Sequence, residues 1–67
     1  MSIGEKEWDI LKIYLATTQQ GTISNLRAAY NYYKFKNQGE IFFELLQYIE
    51  MLSESEFAIL AEEIFAS

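Results

Sequence analysis

Between residues 40 and 52 the chain reads EIFFELLQYIEML, and this stretch limits the possible fold more than any other. Wound at about 100° per residue, it places Tyr48, Ile41, Leu52, Leu45, Ile49, Phe42 and Leu46 on one continuous arc. Glu50, Gln47, Glu40 and Glu44 fall on the other side. The apolar arc is wider than the ~100° stripe of an ordinary surface helix. A helix of this kind must be covered on two sides, so it is expected at the centre of the fold. Phe43 and Met51 are left over in its polar sector.

Only 67 residues are available to cover it. A chain of that length is expected to form a single domain, residues 1–67, whose core yields roughly 3–5 kcal/mol. Small domains often add disulfides or a structural metal, but this chain has neither Cys nor His. Disulfides and the usual zinc sites are therefore excluded, and no cofactor is expected. Helix packing and association remain. A composition that is 51% hydrophobic and 16% aromatic is more apolar surface than so small a body readily hides, which points to a protein partner and to a homodimer.

Pro and Val are both absent, so nothing forces a helix to break and the commonest strand former is missing. The expectation is an all-α, compact four-helix domain with helices near 3–18, 23–34, 38–52 and 54–66. Ser2 and Glu5 form a capping-box pattern, after which Trp8, Ile10, Leu11, Tyr14 and Leu15 share one face and Ile13 lies off it. Gly21 is the expected C-cap of this helix, and Thr22 or Ser24 the cap of the next. The second helix turns Ile23, Leu26, Ala29, Tyr30 and Tyr33 inward and Arg27, Asn31 and Lys34 outward.

From Tyr32 to Lys36 aromatic and basic residues alternate at the period of a strand. No partner strand exists, so the reading is helix followed by a loop at 35–37. Asn37, with Glu40 three residues on, marks the start of the third helix. Ser53 with Glu56, bracketed by Leu52 and Phe57, gives the fourth helix a capping box and a hydrophobic staple. Its inner face is Phe57, Leu60, Ala61, Ile64 and Phe65, with Ile59 off it. The expected core is Trp8, Leu11, Leu26, Leu45, Ile49, Phe57, Leu60 and Ile64.

Catalysis would have to rest on carboxylates, hydroxyls, Tyr or Lys. Glu40 and Glu44, or Glu50 and Glu54, stand one turn apart. Carboxylate-bridged metal bundles aim such acids inward and add His, whereas these lie outside the apolar arc. No catalytic, cofactor or metal residues are assigned, and an enzyme is not expected. No uncharged apolar run approaches the ~18 residues of a membrane helix. Glu5, Glu7 and Asp9 occupy the place of a signal sequence. A cytoplasmic protein without membrane contact is expected. The residue usage, rich in Ile, Lys, Asn, Tyr and Glu, is of a low-GC bacterial or phage type.

Charge is unevenly spread. Residues 22–39 hold Arg27, Lys34 and Lys36 and no acid, giving +3; Lys6 and Lys12 against ten acids elsewhere give −8, for a net −5. The basic, Tyr- and Asn-rich segment is the candidate partner-binding site: Arg27, Asn31, Tyr32, Lys34 and Lys36. A protein is the expected partner. Three cations neutralise too few phosphates for tight nucleic-acid binding, so that alternative ranks second, together with an acidic DNA mimic. The first two helices superficially resemble the opening of a helix-turn-helix domain, but the next helix is acidic outside and apolar within and cannot read bases. Phe43, Met51 and Ile59 are the candidate self-association residues, with Ile13 a further stray hydrophobe.

Overall fold

The computed structural model, which describes residues 4–66, contains four α-helices: α1 (Glu5–Tyr14), α2 (Gln19–Tyr33), α3 (Glu40–Met51) and α4 (Glu54–Ala66). A 3-10 turn, Lys34–Lys36, follows α2, and the described residues contain no strand. The fold is all-α. The body measures 33 × 22 × 20 Å.

The wide arc of α3 is spent as its pattern requires. Phe42, Leu45, Leu46 and Ile49 are buried, and Ile41, Tyr48 and Leu52 pack against them. Phe42 is held between two neighbours: its ring lies parallel to that of Tyr33 on α2 at 5.2 Å, and edge-on to that of Tyr14 on α1 at 5.5 Å. Along its length α3 packs most closely on α2, while α4 packs on α1. Leu11, Leu26, Leu45, Ile49, Phe57, Leu60 and Ile64 all lie in the core. Trp8, also expected there, is half-buried, packed against the cluster from outside.

Phe65 departs from expectation: it is 62% exposed rather than on the buried face of α4. It stands about 100° around the helix from Ile64, and it lines a surface groove with Thr17, Gln20 and Ala58.

The largest corrections fall between α1 and α2. The Ser2 cap lies outside the described residues; α1 starts at Glu5 with Gly4 as N-cap, and no side chain caps it. It ends at Tyr14, not near residue 18, because Leu15 is extended. Thr18, not Thr22 or Ser24, caps α2: its hydroxyl accepts from the Gly21 N–H at 3.0 Å. Gly21 is inside the first turn of α2, not a C-cap of α1. A Cβ there would meet Thr18 Oγ1 at 2.9 Å and the Ala16 methyl at 3.0 Å, so close approach is what the glycine serves.

Thr22, fully buried, ties the α1–α2 link to α2. Its Oγ1 accepts from the Ala16 N–H at 2.9 Å and donates to the Thr18 carbonyl at 2.9 Å. Asn25 Nδ2 donates to the Tyr14 carbonyl at 2.9 Å. At the far end of α3, Gln19 Nε2 donates to the carbonyls of both Ile49 and Leu52, each at 2.9 Å. A residue read as part of a helix exit thus caps the end of α3, adding a second donor to the Ile49 carbonyl, which already accepts from the Leu52 N–H at 3.2 Å, and bonding the Leu52 carbonyl beyond it.

Residues 35–37 are not simply a loop. The 3-10 turn continues α2 and Asn37 stops it in the left-handed region, φ 57°, a conformation Asn tolerates better than most residues. Asn37 therefore ends one element rather than starting the next. Gly39 occupies the N-cap position of α3, buried, where a Cβ would come within 2.7 Å of Lys34 Cα. The start of α4 follows the sequence pattern closely. Glu56 N–H donates to Ser53 Oγ at 3.1 Å, and the Ser53 N–H donates to Glu56 Oε1 at 2.8 Å. Hydrogen bonding from Ser53 to the carboxylate, by its backbone N–H first and its side chain second, holds the Glu56 carboxyl below its ordinary pKa.

Candidate functional site

All five residues of the basic segment, Arg27, Asn31, Tyr32, Lys34 and Lys36, are exposed. The helix nevertheless divides them. Tyr32 follows Arg27 by five positions, about 140° around the axis, whereas Asn31 and Lys34 stay within about 40° of Arg27. Arg27 and Asn31 line a groove between α2 and α3 with Tyr30, Phe43, Gln47 and Glu50. Lys34 lines its continuation, with Tyr30, Phe43, Gly39 and Glu40. Tyr32 and Lys36 form a separate pair. Lys36 Nζ donates to the Tyr32 hydroxyl at 3.1 Å and stands 4.3 Å from the ring centroid.

The lysines are engaged by aromatic rings. Lys34 Nζ lies 5.1 Å from the Phe35 ring centroid and 5.8 Å from that of Tyr30, and donates to Asn31 Oδ1 at 3.4 Å. Such contacts contribute about 0.5–1 kcal/mol at exposed sites. Between the two lysines Phe35 is 85% exposed, the most exposed large hydrophobe described. Sequence reasoning placed it in a loop and gave it no role. Its signal was present, since an apolar residue flanked by Lys on both sides has no inner face to occupy.

Of the self-association candidates, Phe43, Met51 and Ile59 are all exposed, as is Ile13. Phe43 is drawn into a recess, where its ring meets that of Tyr30 at 5.8 Å. Met51 and Ile59 line neither stretch of the α2–α3 groove. The sequence treated the ridge and Phe43 as separate features, and the pairing of α2 with α3 brings them together. Glu40 and Glu50, read as solvated acids, border the same groove.

Among the described residues no group of three or more acidic residues stands close enough to hold a metal ion. No helix among them is long and apolar enough to cross a membrane. No family model, curated protein or solved structure matches the chain.

Proposed function

We propose that the protein works by binding another protein, as a small regulator, inhibitor or assembly factor, and not by turnover. The partner is acidic and docks on the turn formed by Tyr32, Lys34, Phe35 and Lys36. Phe35 carries this reading. Burying a fully exposed Phe in a partner pocket is worth about 1.5–3 kcal/mol, and here the ring is presented on a helical turn between two cations. Aromatic anchors ringed by polar groups are what interface hot spots consist of. The lysines lie on the rim, where charge acts mainly on the rate of encounter.

The same turn supports a second reading, single-stranded nucleic acid, because exposed aromatics beside lysines are the parts of a stacking platform. The −8 carried by the rest of the chain weighs against it.

The test is a double variant, Phe35→Ser with Lys36→Glu. Both residues are exposed, and the variant gives up the Lys34–Phe35 and Lys36–Tyr32 contacts, so it should stay folded with a loss of about 1–2 kcal/mol. Partners recovered from the native host by the wild-type protein should be lost by the variant, with the loss mainly in dissociation rate for Phe35→Ser alone. Retention of every partner would refute the surface. Binding that falls steeply with salt and is competed by any DNA or RNA would establish the second reading instead.

A further inference from the structure

The α2–α3 groove has a charge pattern of its own and shares only Lys34 with the turn that carries the proposed function. One bank is basic, with Arg27 on α2 and Lys34 at the start of the 3-10 turn that continues it; the other is acidic, with Glu50 and Glu40 on α3. Because the two helices run side by side in opposite senses, Arg27 shares one end with Glu50 and Lys34 shares the other with Glu40. Tyr30 and Phe43 meet between the banks, and Phe43 is 46% exposed. Among the described residues no ion pair joins one bank to the other.

We infer that this groove is the contact surface for a second copy of the chain. A two-fold interface sets the same patch of both subunits face to face, so it must be complementary to itself. Two face-to-face arrangements are open. With the axis running across the groove, each basic bank meets the other copy's basic bank, and acid meets acid. With the axis running along the groove, each copy's α2 bank covers the other's α3 bank. Arg27 then faces Glu50 of the second copy, Lys34 faces its Glu40, and the Phe43 rings close over the middle.

The spacing agrees with this. Arg27 to Lys34 spans about 10 Å along α2, and Glu40 to Glu50 about 15 Å along α3, a difference that long Arg and Lys side chains bridge. Charge therefore selects one dimer and disfavours the other. Phe35, Tyr32 and Lys36 line neither stretch of the groove; Lys34 is the one residue common to the dimer contact and the partner turn.

The experiment uses sedimentation equilibrium on the full chain and two charge variants, with circular dichroism to verify helix content. Wild type should dimerise. Arg27→Glu with Lys34→Glu, and separately Glu40→Lys with Glu50→Lys, should each weaken the dimer on the order of a hundredfold, because like charges then oppose across the interface. An equimolar mixture of the two variants should recover a heterodimer. Should Glu40→Lys disturb the first turn of α3, Arg27→Glu mixed with Glu50→Lys gives the same readout. A wild type that stays monomeric at high concentration overturns the inference. So does a dimer that survives both charge variants, which would place the contact at Met51 or Ile59, or a mixture that fails to associate. None of these outcomes bears on partner loss by the Phe35 variant, so the two readings fail independently.

Discussion

Thr22 is constrained by burial and by its hydroxyl's bonds, a role different from the helix cap its place in the sequence suggests. Its hydroxyl is fully buried and satisfies the Ala16 N–H. Thr22→Val keeps the shape and removes the acceptor, so the half-buried Ala16 N–H loses its partner at a cost of about 1 kcal/mol. In a domain this small the melting temperature should fall by roughly 4–8 °C per kcal/mol, whereas Thr22→Ser, which keeps the hydroxyl, should fall less. Equal stability of the Val variant would dismiss the role. The reason this was illegible is general to side-chain bonds across a bend. Gly21 could be read as a stop or as a point of contact, and the choice was made by the nearness of Thr18 and Ala16 in space. Exposure was easier: Arg27, Asn31 and Lys34 face outward as the helical period dictates, and so do Phe43 and Met51.

Elements were legible in proportion to how local their signals are. The four markers of α4 fall within six residues, and the helix begins at Glu54 as they imply. The capping pair also gives α4 a pH response. The Glu56 carboxyl is held below its ordinary pKa by the Ser53 backbone N–H and then by the Ser53 hydroxyl. Its contribution is therefore complete above the unfolded value, roughly 4.3, and is lost as pH falls through the lower folded value. Glu56→Gln should show a shallower loss of stability below that pH than wild type, measured by denaturant midpoint across the acid range. Parallel acid limbs would remove the capping pair from the explanation. The α2–α3 connection was misread because two facts there are non-local: Asn37 takes a left-handed conformation, and Gly39 passes within contact of the Lys34 backbone.

At the scale of the whole molecule, the α2–α3 pairing decides what the surface can do. It converts a ridge and a stray aromatic, each visible in the sequence, into one groove with oppositely charged banks. Helix period alone assigns inside and outside, but it is silent on which outsides become neighbours. The same pairing is a hairpin, turned at Asn37 to Gly39 and open at the other end, where Gln19 reaches the carbonyls of Ile49 and Leu52. Those bonds span 30 and 33 residues, the longest separations among the described side-chain hydrogen bonds, and the entropy of closing a chain grows, slowly, with the length closed. The hairpin can zip from its turn before the open end meets, so Gln19 acts as a latch fastened last. Removing the latch, as in Gln19→Ala, should therefore accelerate unfolding while leaving the refolding rate near wild type. A stopped-flow chevron reads both limbs directly, and slowed refolding would instead place Gln19 in the folding nucleus.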